Sequence, residues 1–304
     1  MAADISIVTV TFGDMEDATR VGTGLEAAQR TGGEPAMEVI VVAVGAAGQA
    51  AAKQLIDLTA GTSLAPVLVA VAEGTGYSAA ANAGVARTTG SIVVVAAPEV
   101  SFHQRFLRRL RQEAAGTWDF LAPAVREGES GQTATGATRR SRTHRLVTIE
   151  TPFRGDAEVV PAGNAACVIV RRHVLDRRVA EVEGLFDPAY LTADDLDLFW
   201  WAQERGLVVR YVPNLIVGRA VGTEVLPTSP ERRQSMANYR VTVWKYAGRT
   251  DLTGWLLGEA ALIGEEVGAG GLSGLRRYLG SWRDTARTAT AIRRRRGRVR
   301  GPGG

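Results

Sequence analysis

The chain has 304 residues, of which 45% are hydrophobic and 22% charged, and it carries a formal net charge of +4. This length and apolar content can fill a sizeable core, so we expect a globular protein with one large domain and an appendage, or two modest domains. The single cysteine, Cys167, excludes an intramolecular disulfide framework and a zinc site built from several cysteines, which favours a reducing compartment.

The start of the chain and its apolar runs argue against two further classes. MAADISIVTV carries Asp4 where a secretory signal has Lys or Arg, and its apolar run is typical of a first strand. The nearest late candidate for a membrane span, 254–272, is interrupted by three glutamates, short of the roughly 18 uncharged residues that a span needs. We therefore expect a cytoplasmic protein that is not an integral membrane protein.

Strand-like and helix-like segments alternate through about residue 120. The β-rich runs are 5–12, 37–44, 65–72 and 91–98, and the helix-like segments are 14–31, 48–60, 78–89 and 101–115. The β-rich runs are apolar almost without interruption, as in parallel strands covered on both faces, and the Ala-rich segments suit crossover helices. The pattern predicts a Rossmann-type α/β/α sandwich around a mostly parallel central sheet.

The second half of the chain changes character twice. Residues 126–156 are rich in Gly, Ser, Thr and Arg, which predicts a long mobile loop or a small insertion. Strand-like runs return at 158–172 and 208–218, and the pattern then turns helical. The expected divisions are an α/β domain at 1–225, a helical C-terminal region at 226–292 and a basic disordered tail at 293–304.

In open α/β sheets the ligand binds beyond the carboxyl ends of the strands, so the residues after each strand are candidates for a site. GTGYSA (74–79) matches G-x-G-x-x-A between a strand and a helix, and Glu99 ends the next strand, which is the pattern of a dinucleotide-binding fold. A nicotinamide-dependent oxidoreductase is therefore one hypothesis. Against this hypothesis, the motif follows the third strand, whereas a dinucleotide-binding fold carries it after the first. The hypothesis also leaves the acidic segment 184–206 without a role.

Five segments stand out in chain order: TVTFGD (9–14), EVIVVAVGA (38–46), GYSAAANAGVARTTGSIVVVAAPEV (76–100), PAGNAACVIVRR (161–172) and GLFDPAYLTADDLDLFWWAQERG (184–206). In this order they resemble the motifs of family 2 glycosyltransferases with a GT-A fold, and especially the bacterial rhamnosyltransferase-like group. The last is the most specific, since it keeps the family's order in Gly184, Phe186, Asp187, Asp194, Asp195, Asp197, Leu198 and Gly206. The resemblance covers about residues 4–220 and implies a nucleotide-sugar donor.

The resemblance also implies a catalytic base. Asp195 matches the aspartate that takes the proton of the acceptor hydroxyl as its oxygen attacks the anomeric carbon in inverting transfer. A helix N-terminus at this residue is expected to favour its ionised form. Asp194, Asp197, Trp200 and Asn164 are assigned to the acceptor site or its surroundings. Helix capping by the acids and core packing of Trp200 are the open alternatives.

The donor side shows both matches and departures. The residues assigned to the nucleotide are Thr11, Phe12, Gly13, Gly76, Asn82 and Gly84, although a helix that lies close to a sheet also needs a glycine such as Gly84. The family's nucleobase-binding acid after the second strand is missing at 43–46. Glu99 replaces the family's metal-binding aspartate and is still a competent ligand for Mg²⁺ or Mn²⁺. Arg219 stands about where the family has a histidine and is assigned to the diphosphate, with an ordinary surface arginine as the alternative.

The basic character lies at the C-terminus. Residues 276–300 hold ten arginines and one acid, so this stretch carries +9 and the remainder of the chain carries −5. Leu272, Leu275, Leu279 and Trp282 recur at helical spacing, which predicts an amphipathic helix on an anionic membrane surface. The same stripe suits docking on the α/β domain or on a second subunit. Nucleic acid is a weaker candidate partner, because no aromatic-rich basic groove is present.

Together these features predict a cytoplasmic hexosyltransferase, peripheral at the inner face of the membrane, that acts on a saccharide or a lipid-linked saccharide. Cell-envelope or exopolysaccharide biosynthesis is the expected context. Because the donor-side acid and the histidine are missing, a catalytically degenerate GT-A-like protein that binds a glycan or a partner enzyme is the alternative.

Overall fold

The computed structural model describes residues 4–32, 37–60, 64–127, 134–151, 155–190, 195–219, 229–246 and 252–299. The strands are β1 (Ile5–Thr11), β2 (Met37–Val44), β3 (Val67–Val71), β4 (Ile92–Ala96), β5 (Val100–Phe102), β6 (Phe120–Glu127), β7 (Ala134–Arg140), β8 (Leu146–Thr151), β9 (Glu158–Val159), β10 (Cys167–Arg171) and β11 (Val209–Arg219). The helices are α1 (Met15–Gly32), α2 (Gly45–Thr59), α3 (Tyr77–Val85), α4 (Phe106–Ala114), α5 (Arg172–Val182), α6 (Asp195–Glu204), α7 (Ser229–Tyr246) and α8 (Leu252–Val299).

The described strands form one central sheet in the order β3-β2-β1-β4-β10-β6-β11-β5, with β7, β8 and β9 attached at its side. The strands β3, β2, β1 and β4 are mutually parallel, whereas β10 is antiparallel to both β4 and β6. Strands β6 and β11 are again parallel. The predicted mostly parallel α/β sandwich with a C-terminal helical extension is therefore confirmed.

Helices cover both faces of the sheet, which explains the uninterrupted apolar runs. One buried cluster joins β1, β2 and β4 to α1, α2 and α4, and a second joins the opposite faces of these strands to α3, α5 and α6. Helix α3 lies so close to the sheet that a Cβ on Gly84 would stand 2.5 Å from Val8 Cγ1 and 2.7 Å from Val42 Cγ2. Gly84 thus has a packing role, which is the alternative to its predicted donor role.

Two sequence predictions about the elements were wrong, and a third holds in one of its alternatives. Strand β3 is the edge of the sheet and is largely exposed, so it is not covered on both faces. The described part of 126–156 agrees with a small insertion and not with a mobile loop, because β7 and β8 form an antiparallel hairpin attached to β6. The segment from 101 opens with a strand, β5, that pairs with the end of β11, and α4 begins only at Phe106. Local composition did not reveal these pairings, because each depends on a distant partner strand.

Helices α7 and α8 pack together through a buried charged cluster. Arg240 of α7 donates to the carboxylate of Glu259 at 2.8 Å, and the hydroxyl of Tyr278 donates to the same carboxylate at 2.7 Å. Arg240 also donates to the hydroxyl of Ser281 at 2.5 Å. Within α8 the backbone breaks at Gly271, whose φ of 52° lies in the left-handed region that favours glycine. Both limbs of α8 therefore contact α7.

The C-terminal predictions have mixed outcomes. Helix α8 continues to Val299, past residue 293, where the disordered tail was predicted to begin. The predicted division at residue 225 lies outside the described residues. The predicted stripe is split, since Leu272 and Leu279 are exposed whereas Trp282 packs against a buried cluster of α6, α7 and α8. No helix among the described residues is long and apolar enough to cross a membrane.

Candidate active site

A cavity of about 370 Å³ opens at the carboxyl ends of β1 and β4. Its lining consists of Phe12, Tyr77, Ala97, Pro98, Glu99, Asn164, Ala165, Ala166 and Arg219. The edge of the sheet beyond the carboxyl ends of parallel strands is where open α/β folds bind ligands. The structure therefore brings together four residues that the sequence proposed for separate roles, namely Phe12, Glu99, Asn164 and Arg219.

A tight turn after β1 places Phe12 at the mouth of this cavity. Gly13 has a φ of 115°, and a Cβ at this position would lie 2.6 Å from the Cβ of Ala47, so only glycine fits here. The N–H of Gly13 donates to the hydroxyl of Thr11 at 3.4 Å. The turn leaves the Phe12 ring 44% exposed, which presents an apolar face beside a polar cavity.

Glu99 and Arg219 form an ion pair across the cavity. Strand β5 pairs with β11 so that Val100 is opposite Arg219, which brings the segment after β4 against the end of β11. The Nε atom of Arg219 lies 3.4 Å from a carboxylate oxygen of Glu99, and both side chains are half-buried. The cavity therefore contains a guanidinium group whose charge is balanced by a carboxylate.

The described residues do not fit a preformed divalent metal site. Among the residues that line the cavity, Glu99 is the one carboxylate, and it is already paired with a cation. The described part of the chain contains no group of three or more His, Cys, Asp or Glu side chains placed to hold a metal ion. Mg²⁺ is usually held by one or two carboxylates with substrate phosphates, and Arg219 here occupies the position beside the carboxylate.

Tyr77 supplies a polar atom to the cavity that the sequence analysis missed. Its hydroxyl is shielded from solvent and has no hydrogen-bond partner among the described residues. Burial raises the pKa of Tyr77, and the nearby Glu99 and Cys167 raise it further, so the phenol is a neutral donor. A buried hydroxyl without a partner costs roughly 1–3 kcal/mol, which an oxygen of a bound ligand would recover. A tyrosine that begins a helix gives no such signal in sequence alone.

Asp195 begins α6 beside the same cavity. The backbone N–H groups of Ala165, which lines the cavity, and of Leu196 donate to its carboxylate. Burial raises the pKa of Asp195 and outweighs these hydrogen bonds. The N–H groups at the helix N-terminus thus favour the ionised form, as expected, but burial sets the opposite net direction. A raised pKa makes the carboxylate a stronger base, as a proton acceptor near neutral pH requires.

Asp197 lies away from the cavity in a buried network of charges. Arg178 donates to one of its carboxylate oxygens, and Lys245 of α7 donates to the other at 2.7 Å. Lys245 Nζ also lies 3.5 Å from Asp187. Burial acts to raise the pKa of Asp197, but the charges of Arg178 and Lys245 overcome it, so the pKa is lowered. Asp197 is thus an ionised structural anchor between α5, α6 and α7, and not a cap of its own helix.

Asn82 and Trp200 have roles other than those expected. The side-chain amide of Asn82 donates to the carbonyl of Phe186 at 2.7 Å and accepts from the N–H of Phe186 at 3.1 Å. A Cβ on Gly184 would lie 2.3 Å from the Asn82 amide, so this contact needs glycine. Asn82 therefore holds the segment before α6 and is not among the residues that line the cavity. Trp200 is buried between His144 and Tyr246, and so belongs to the core. Asp194 lies outside the described residues.

A carboxylate lies close to the position of the missing acid after β2. Gly45, the first residue of α2, has a φ of 65°, and a Cβ on it would stand 3.3 Å from Cγ of Glu73. Glu73 follows β3, so its side chain reaches over the position where the family's acid was expected. Its place directly after a strand was the available sequence signal.

Comparison with known proteins agrees with this geometry. The family model described as glycosyltransferase like family 2 matches residues 3–253. No curated protein matches the chain.

Similar solved structures share the fold at low sequence identity. GalNAc-T7 with UDP, GalNAc and Mn²⁺ has a TM-score of 0.60 and 14% identity over 80% of this chain and 48% of that one, so the present chain spans about half of it. The mannosyltransferase PcManGT from Pyrobaculum calidifontis, in complex with GDP-Man and Mn²⁺, has a TM-score of 0.55 and 17% identity over 94% and 76%. TarS 1-349 from S. aureus, in complex with UDP, has a TM-score of 0.55 and 13% identity over 84% and 68%.

We predict that Asp197→Ala lowers the free energy of unfolding by about 3–5 kcal/mol, because Arg178 and Lys245 would keep buried charges without this partner. Asp176→Ala is the matched control on α5, since it removes only an exposed ion pair with Arg172 and should cost about 1 kcal/mol or less. Urea denaturation of both variants measures the difference, and equal losses would contradict the anchor role.

The same carboxylate predicts a pH dependence of stability. Because the pKa of Asp197 is lower in the folded state than its ordinary value of 3.8, its stabilisation is complete above that value. It is lost as the pH falls below 3.8 toward the folded-state pKa. The wild-type protein should therefore lose more stability than Asp197→Ala over this acid range.

Proposed function

The chain belongs to the glycosyltransferase-like family 2, and from this premise we propose that it transfers a hexosyl group from a nucleotide-sugar donor to a saccharide or lipid-linked saccharide. The observation that carries the proposal is the cavity at the ends of β1 and β4, which has Asp195 at its side and Arg219 in its lining. The similar structures were determined with UDP or GDP-Man, which supports a donor of this class.

On the donor side, we assign three contacts. The exposed ring of Phe12 offers a stacking surface for the nucleobase, and Glu73 offers a carboxylate to its N–H groups. Arg219 neutralises the diphosphate, and its guanidinium geometry suits paired phosphate oxygens. Because Arg219 forms an ion pair with Glu99, a bound diphosphate must displace that carboxylate from the guanidinium.

The transfer step requires a base and a stabilised leaving group. Asp195 takes the proton of the acceptor hydroxyl while its oxygen forms a bond to the anomeric carbon from the face opposite the diphosphate. The bond from the anomeric carbon to the diphosphate oxygen breaks, and its electron pair leaves with the nucleotide diphosphate. Arg219 and the neutral hydroxyl of Tyr77 stabilise the charge that develops there. The configuration at the anomeric carbon is inverted.

Mn²⁺ accompanies the nucleotide in two of the similar structures. Here Glu99, the carboxylate that would bind such an ion, is paired with Arg219. The guanidinium of Arg219 therefore supplies part of the positive charge that a metal would bring. This pairing also supports the second candidate, a GT-A-like protein that binds a glycan or a partner without catalysis. Family membership argues against the nicotinamide-dependent oxidoreductase.

We assign the protein a peripheral location at the cytoplasmic face of a membrane, in envelope or exopolysaccharide assembly, on the basis of the surface of α8. Leu272 and Leu279 are exposed on the second limb of α8, as are the side chains of Arg276 and Arg283. Exposed apolar side chains beside arginines suit an anionic lipid surface. The opposite face of this limb contacts α7, so docking and membrane binding, the two alternatives for this stripe, do not exclude each other.

We predict that Asp195→Asn lowers turnover by about 10²-fold or more and leaves nucleotide diphosphate affinity nearly unchanged. Activity of the wild type should fall as the pH falls through the pKa of Asp195, and this acid limb should lie above the ordinary value of 3.8. Donor turnover across pH and calorimetric titration provide the two readouts. A wild-type protein that binds donor but never transfers sugar would favour the degenerate binding protein.

We predict opposite effects for the two members of the cavity ion pair. Arg219→Gln should weaken nucleotide diphosphate binding about tenfold or more, whereas Glu99→Gln should leave it unchanged or strengthen it, because the competing carboxylate is gone. Both titrations are carried out with Mn²⁺ and with a chelator. If Glu99→Gln weakens binding only when Mn²⁺ is present, Glu99 is a metal ligand after all.

We predict that Leu272→Gln combined with Leu279→Gln weakens sedimentation with phosphatidylglycerol vesicles about tenfold, and that wild-type binding falls as salt rises. Point substitutions are used because truncation would remove Tyr278 and Ser281 from the buried cluster. Leu256→Gln is the control, as an exposed leucine before the break at Gly271. Unaltered sedimentation of the double variant would exclude this surface as the contact.

A further inference from the structure

A second cavity, of about 340 Å³, lies where the loop after β5 meets the end of β6 and the middle of β11. Its polar lining consists of His103, Gln104, Arg105, Arg109, Arg126 and Asn214. None of these residues belongs to the donor cavity, and the reaction described above uses none of them.

The lining concentrates positive charge. It contains three arginines, and no carboxylate occurs among the described residues that line it. Arg109 donates to the side-chain oxygen of Gln112 at 2.8 Å, a neutral partner that leaves its charge uncompensated. The cavity also adjoins the N-terminus of α4, whose first turn has no acid, so the helix dipole adds to the positive potential.

The positive charge of the lining also affects the pKa of His103. Burial lowers its pKa, and the charges of Arg126 and Arg105 lower it further, so the imidazole is neutral near pH 7. Its Nδ1 atom accepts from the N–H of Arg105 at 3.2 Å. In the neutral tautomer that satisfies this contact, the proton is on Nε2, which is therefore a hydrogen-bond donor. Asn214 adds an amide donor to the same lining.

We propose that this cavity is a phosphate-binding site, separate from the donor diphosphate site. Guanidinium groups match the paired oxygens of a phosphate, and Arg105 and Arg109 alone equal the charge of a single dianion. A concave pocket of this size suits a small phosphate mono- or diester, whereas an extended polyanion needs a long, open surface. The phosphate is either free or carried by a saccharide acceptor, and the latter source rests on the proposed transferase function.

The second source is compatible with the distance between the cavities. Ile216 lines the arginine cavity and Arg219 lines the donor cavity, and both belong to β11. Three residues of a strand span about 10 Å. A phosphorylated saccharide of more than one unit covers such a distance.

The test compares two variants by calorimetric titration with inorganic phosphate in the presence of saturating UDP. Arg105→Gln combined with Arg109→Gln should lower the phosphate affinity at least about tenfold, because two of the three guanidinium groups are lost. Arg108→Gln is the matched control, since Arg108 is an exposed arginine of the same helix that does not line the cavity. It should bind phosphate as the wild type does.

Unchanged phosphate affinity in the double variant would overturn the proposal. Loss of phosphate binding in every variant when UDP is added would also overturn it, because the ion would then lie in the donor cavity. Phosphate binding without any UDP binding would leave this site intact and count against the proposed function. A second titration compares glucose 1-phosphate with inorganic phosphate. Tighter binding of the sugar phosphate that the double variant loses supports an acceptor-borne phosphate, and equal affinities assign the site to free phosphate.

Discussion

The buried pairing of Asp197 with Arg178 and Lys245 is the interaction on which the arrangement of the candidate active site depends. It joins α5, α6 and α7 in one place, and through Asp187 it includes the segment that leads into α6. Two acids and two bases balance within this network, so removal of any one leaves a charge in the protein interior. Asp195 stands two residues from Asp197, and its position beside the donor cavity follows from this anchor.

The sequence predicted the elements whose causes are local and missed those that depend on distant partners. Strands β1, β2 and β4 and their helices follow from apolar runs and short connections, and all were predicted. The edge position of β3, the β7–β8 hairpin and strand β5 depend on which strand lies alongside. Composition carries no record of that pairing.

The same distinction holds within the site. Phe12, Glu99 and Arg219 were candidates because each stands directly after a predicted strand, and all three line the cavity. The partnership of Glu99 with Arg219 was not foreseen, since it requires β5 to pair with β11. The hydrogen bond to Asp195 from the backbone of Ala165 likewise comes from a residue 30 positions earlier in the chain. A motif thus pointed to candidate residues, and only the structure showed whether burial or the helix terminus has the larger effect on the pKa of Asp195.

The contact between Lys245 and Asp197 has a consequence for synthesis on the ribosome. The strands and helices up to β11 are translated before α7, which carries Lys245. Until Lys245 is available, Asp197 is paired with Arg178 but the charge that Lys245 supplies to Asp187 and Asp197 is missing. The segment that holds Asp195 is therefore expected to remain loosely packed in the nascent chain. The C-terminal helices complete it late, so a stalled or truncated product would contain most of the fold without an assembled site.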